Sequence, residues 1–170
     1  HLLIEGAILT CFAIGANHAY IYIRGEYVAQ ADMMNAAIDE AYAAGILGED
    51  VLGSGFKLDM TLHRGAGAYI CGEKTALLES LEGKRGHPRL KPKKPECEWY
   101  FGKPTLVNNV ETIASVPFIV GSGADAYRSY GTEKSPGTLL FAASGHINNP
   151  GVYEAPFGIK MIDYINEVCG

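Results

Sequence analysis

A chain of 170 residues has the length of one average domain or slightly more. With 48% apolar and 19% charged residues it is globular in composition, which excludes wholesale disorder and collagen-like architecture. Its 14 basic and 19 acidic side chains leave a formal net charge of −5, which argues against general electrostatic binding of nucleic acid. Glycine is in excess, at 21 residues, and predicts tight backbone approaches to other segments or to a ligand.

Residues 2–16 predict a nearly all-apolar helix, buried on most sides. The run from Gly6 to Ile23 carries no Asp, Glu, Lys or Arg and approaches spanning length. It is broken at Gly15-Ala16-Asn17-His18, so a buried helix followed by a core strand, residues 19–24, explains it better than a membrane segment. Ala29 to Ala44 is a predicted helix, with Met33, Met34, Ala37, Ile38 and Ala41 on its apolar side and Gly45 as its stop. Residues 56–62 alternate as a half-buried strand does. Strand, helix and strand in that order predict a parallel α/β unit.

A Gly-rich turn, Gly65 to Gly72, then leads into a helix from about Glu73 to Gly83. From Lys84 to Pro104 the chain is rich in Pro and Lys and predicts irregular structure. Asn108-Asn109 opens the next helix, with Glu111 in its first turn. Ser135-Pro136-Gly137 is the best boundary, between domain 1–134 and a second, small domain at 137–170. That second part reads as a hairpin, 138–145 and 151–154, followed by a helix from about Lys160. The apolar start at His1 and the helix running to Gly170 read as an internal fragment of a longer protein. Cys11, Cys71, Cys97 and Cys169 are far apart and form no C-x-x-C pair, so free buried thiols in a reducing cytosol are expected rather than a disulfide framework.

A Gly-rich turn between a strand and a helix is where parallel sheets bind ligands, because helix N–H groups point outward and glycines expose backbone. It is not a dinucleotide fingerprint: Gly65 and Gly67 fit, but the third glycine position is Ile70. It is not a phosphate-binding P-loop either. Tyr69 suits stacking on a flat ring or a place in the core. Glu73 suits a ligand contact or simply the start of a helix. Lys84, Arg85, Arg89, Lys91, Lys93 and Lys94 crowd six cations into 11 positions, a patch for phosphates or a solvated loop. Asn108 and Asn109 suit hydrogen bonds to a polar ring edge or a helix cap.

In order and together, the segments 65–73, 75–86, 102–105 and 108–112 resemble the flavin-bearing, F-type subunit of NADH-quinone oxidoreductase (respiratory complex I). Related diaphorase subunits serve NAD-linked hydrogenases and formate dehydrogenases. Ile21 to Tyr27 also matches, and the tail from Gly137 resembles the start of that family's soluble-ligand-binding β-grasp domain. The resemblance implies an α/β fold with a parallel-sheet domain for flavin and nucleotide, followed by the start of a β-grasp-like domain. It implies non-covalent FMN, which takes a hydride from NADH or NADPH and passes single electrons to iron–sulfur clusters. The cofactor-binding positions it implies are Arg64, Gly65, Ala66, Gly67, Tyr69, Gly72, Glu73, Lys74, Lys94, Asn108, Asn109 and Thr112. No proton-transfer catalyst and no metal ligand is expected in this stretch. The FMN-phosphate segment is expected before His1, and the cysteines of a 4Fe-4S cluster after Gly170.

The expected partners are the other subunits of a multi-subunit NAD(P)H dehydrogenase, including an iron–sulfur subunit, without nucleic acid and without direct membrane insertion. The expected location is the cytoplasm, or the cytoplasmic face of a membrane as part of a complex. Two residues depart from the family pattern. Lys74 stands where a second Glu usually follows the position of Glu73, and Lys94 where an adenine-stacking Phe is usual. They motivate an expectation of altered selection between NADH and NADPH. They also motivate the alternative, a non-catalytic assembly subunit of the same fold. A phosphate-binding module without flavin is the third reading and rests on the basic run alone.

Overall fold

The computed structural model describes residues 1–90 and 99–170. Two compact units divide the chain, His1–Ile113 and Ala114–Gly170. The expectations placed on Lys91, Lys93, Lys94 and Cys97 lie outside the described residues.

The first unit runs α1 (Leu2–Ile14), β1 (His18–Ile23), α2 (Val28–Ala43), β2 (Asp59–Arg64), α3 (Lys74–Leu81) and the start of α4 (Val110–Ser122). Strands β1 and β2 pair in parallel, His18 opposite Asp59 and Ile23 opposite Arg64, with α2 between them in sequence. This is the strand–helix–strand order expected. β2 begins three residues later than the alternating pattern. Leu58, fully buried, forms a bridge with Gly48 instead. Leu58 and Met60 point into a core with Ile4, Cys11, Ala37, Ile38, Ala41, Leu47 and Val51.

Glycines end both leading helices. Gly15 (φ 70°) and Gly45 (φ 68°) take the left-handed conformation that lets the following N–H groups reach back to the last free carbonyls. Ala16 N donates to Cys11 O at 2.9 Å, and Ile46 N to Ala41 O at 2.9 Å.

Two packing expectations are corrected. Helix α1 is not buried on most sides: Ile4, Gly6 and Cys11 are, but Leu2, Phe12 and Ile14 are more than half exposed. A helix apolar all round carries no pattern that marks one face as inward, so the sequence shows that it is apolar but not which side is covered. In α2, Met33 lies outside the core and Ala31 is fully buried. Small residues, Ala31, Ala37 and Ala41, allow that helix a close approach to its neighbours.

The second unit holds the rest of α4, then α5 (Ala124–Arg128), β3 (Thr138–Ala143), β4 (Gly151–Pro156) and α6 (Met161–Asp163), continued by a wide helical turn, Tyr164–Cys169. β3 and β4 form the expected antiparallel hairpin, Thr138 opposite Pro156. Ala155, Tyr164 and Cys169 are its core, and the Tyr164 hydroxyl donates to the Phe141 carbonyl at 2.9 Å. The unit starts well before Ser135-Pro136-Gly137. Gly137 N donates to Tyr130 O at 2.8 Å and Gly137 packs on the Tyr127 ring, which ties α5 to the hairpin. Cys11, Cys71 and Cys169 are free and buried.

Candidate functional site

The C-terminal ends of β1 and β2 are locked together. Gly65 N donates to Ile23 O at 2.8 Å, and Arg64 Nη2 donates to Gly25 O at 2.7 Å. Gly25 lies so close to the Gly65 carbonyl that a Cβ there would overlap it, and a Cβ on Gly65 would press on the Tyr22 ring. Gly67 (φ 86°) adopts a conformation that disfavours other residues. These glycines leave an open cleft of about 410 Å³, lined by Gly25, Glu26, Arg64, Gly65, Ala66 and Gly67.

Beyond the cleft, a single 3₁₀ turn, Tyr69–Gly72, delivers the chain to α3. The Tyr69 ring is 96% exposed, so it is not a core residue. Cys71 is the buried anchor of the turn. Glu73 caps α3: its Oε2 accepts from Thr75 N and Ala76 N, both at 3.0 Å, and from Thr75 Oγ1 at 2.5 Å. Lys74 is exposed at the first helical position and Gly72 is exposed beside it.

Of the basic run, Lys84, Arg85 and Arg89 lie among the described residues, and two of these three are ion-paired. Arg89 Nε bonds Glu79 at 2.5 Å, its Nη2 lies 2.7 Å from Glu82, and its Nη1 donates to Trp99 O at 2.9 Å. Lys84 lies 2.8 Å from Glu82 and 3.9 Å from Glu79. Two of the six cations therefore serve an ion-pair clamp on α3. Burial alone raises the Glu82 carboxyl, but bonds from Lys84, the Phe101 N–H and Arg89 outweigh it and hold the pKa at about 2.

Asn108 and Asn109 are exposed just before α4, and Asn109 Oδ1 accepts from Glu111 N at 3.4 Å, a weak cap. Asn108 lines a second, apolar cavity of about 550 Å³ that also meets Tyr20, Tyr22, Leu77 and Val107. Thr112 is exposed in the first turn of α4. So Arg64 to Gly67 converge on one cleft, Tyr69 to Lys74 follow it along the chain, and Asn108 borders a different cavity. Asn109 and Thr112 line neither of these two cavities.

Sequence reasoning missed Glu26 as a residue of the cleft. Glu26 reaches the cleft, held by Arg24 at 3.2 Å. Its own backbone N–H and the Arg24 guanidinium lower its carboxyl pKa. Its signal was its place, just past the end of a parallel strand, where ligands gather. Among the described residues no group of three or more His, Cys, Asp or Glu could hold a metal, and no helix is long and apolar enough to cross a membrane.

A parallel strand–helix–strand unit with a glycine-lined cleft at its carboxyl edge defines an α/β domain of the ligand-binding kind. Comparison with known proteins narrows this. Residues 1–118 match the model of the Nuo51 FMN-binding domain. The chain is 55% identical over 171 aligned residues to the F-type subunit of NADH-quinone oxidoreductase from Mycobacterium bovis, covering 99% of this chain and 38% of that protein. It is 56% identical over 170 residues to the corresponding protein of Aquifex aeolicus, covering all of this chain and 40% of that protein. A crystal structure of NAD+-reducing [NiFe]-hydrogenase in the H2-reduced state superposes with a TM-score of 0.84 at 42% identity, over 97% of this chain and 28% of that one. The chain belongs to the Nuo51 FMN-binding domain family and spans about two fifths of the length of these curated relatives.

Proposed function

We propose that this chain is part of a flavoprotein subunit of an NADH dehydrogenase of the NADH-quinone oxidoreductase type, and that its Gly-rich corner holds part of the FMN and nicotinamide-nucleotide site. The observation that carries the reading is the open cleft beside Arg64, where Gly25, Gly65 and Gly67 expose backbone at the carboxyl ends of two parallel strands. A flat ring system suits such a surface, because glycines at 25, 65 and 67 expose main chain there between the Glu26 and Arg64 side chains. FMN, when bound, accepts a hydride from the nicotinamide and releases electrons singly.

The chain's own residues would then bind and orient. Glycines at 65, 67 and 72 allow close approach, and Tyr69 offers an exposed aromatic face for stacking. Asn108, Asn109 and Thr112 supply neutral hydrogen-bonding groups, and Glu73 and Lys74 place an acid and a cation at the start of α3. Lys74 places a positive charge where the resemblance leads one to expect an acid, so acceptance of NADPH beside NADH belongs to the reading. Delivery of electrons to iron–sulfur clusters, partnership with an iron–sulfur subunit, a β-grasp-like second domain from residue 137, and a place in a cytoplasmic or peripheral complex complete it. The family membership and the likeness to the hydrogenase support it.

The test is spectroscopic. The full-length protein should purify yellow, with flavin absorbance that NADH or NADPH bleaches anaerobically. A colourless, correctly folded protein that binds neither FMN nor nucleotide would overturn the reading in favour of an assembly role.

A further inference from the structure

We infer that Thr75 is a positioning residue that fixes the Glu73 carboxylate at the edge of the corner, and that the ion-pair clamp behind α3 holds Thr75 in the orientation this needs. The inference rests on the proposed nucleotide site. Thr75 is fully buried, a polar side chain on the covered side of α3. Its Oγ1 has two partners, Glu73 Oε2 at 2.5 Å and the Arg89 backbone N–H at 2.8 Å. The Arg89 N–H can only donate, so it occupies the acceptor side of the hydroxyl. The hydroxyl proton is therefore directed at Glu73.

The order of the relay is fixed: Arg89 N–H to Thr75 O–H to Glu73 Oε2. Arg89 cannot drift, because its guanidinium is held by Glu79, Glu82 and the Trp99 carbonyl. Glu73 Oε2 then accepts three hydrogen bonds, two from α3 backbone and one from Thr75. A helix cap needs only the backbone pair. The additional donor removes the remaining freedom of the carboxylate, so a ligand at the corner meets it at one place. Preorganisation of this kind appears in ligand affinity more than in the rate of the chemical step.

The experiment uses the full-length subunit in its assembled complex, with NADH as the probe. Thr75→Val should raise KM for NADH about tenfold, the loss of one hydrogen bond to a charged group, while kcat changes less than about threefold. Thr75→Ser keeps the hydroxyl and should stay within about twofold of the parent. Glu73→Ala should raise KM by itself, and adding Thr75→Val to it should cost nothing more, because both remove the same arrangement. If Thr75→Val does not assemble, Thr75→Ala takes its place in every comparison. Equal KM values for Thr75→Val and the parent, or effects that multiply in the double variant, overturn the positioning role. A Glu73→Ala variant with unchanged KM and flavin content shows instead that the underlying reading of the corner is wrong, which is a separate result.

Discussion

Gly25 faces the Gly65 carbonyl at a distance that leaves no room for a methyl group, whereas nothing lies within 4 Å of the place a Cβ on Gly72 would occupy. The two glycines therefore answer different questions. Gly25→Ala must push two strand ends apart and should lower stability by roughly 1–3 kcal/mol, read as a fall in the thermal midpoint. Gly72→Ala has no such internal cost. If Gly72 serves a ligand, the alanine variant should melt like the parent and yet retain less FMN after gel filtration. Lys74 makes the third residue-scale case. It is exposed at the start of α3, so Lys74→Glu reverses a charge without disturbing the core. The variant should lower kcat/KM for NADPH about tenfold or more while NADH is spared, since reversing a charge near a 2′-phosphate changes the interaction by a few kcal/mol. A strong NADH preference in the parent that the substitution leaves untouched sinks the idea of altered selection.

At the scale of elements, α3 shows what a linear reading of charge omits. Counted along the chain, the cations from Lys84 to Lys94 suggest a phosphate patch or a solvated loop. The partners of Lys84 and Arg89, Glu79 and Glu82, stand just upstream, and only the fold reveals that the chain turns back onto them. The clamp has a pH signature. The Glu82 carboxyl is held at about 2, below its ordinary 4.5, so the folded state is the poorer proton binder. Its contribution is complete above pH 4.5 and is lost as the pH falls toward 2. Acid titration followed by Trp99 fluorescence should show this transition, and Glu82→Gln should flatten it. Helix α3 itself was legible, because Glu73 and the glycines around it mark its ends. Glu73 reads in the sequence as a helix start or a ligand contact, and the structure shows the cap: its carboxylate accepts from the Thr75 and Ala76 N–H groups.

Across the whole molecule, the parallel strand order was readable because β-branched and aromatic residues in β1, the stop at Gly45 and the alternation before β2 all point the same way. The covered side of α1 was not, for want of any polar stripe. Pro and Gly at 136–137 resemble a linker, while Tyr127 and Tyr130 bind that turn into the second compact unit. The parallel register carries one more consequence, in time rather than space. His18 and Asp59 are neighbours across the sheet but about 40 residues apart along the chain. A ribosome adding about 5–20 residues per second completes β1 several seconds before its partner emerges. During that interval Tyr20, Ile21 and Tyr22 are an unpaired, sticky strand, so a newborn chain depends on shielding there until β2 arrives.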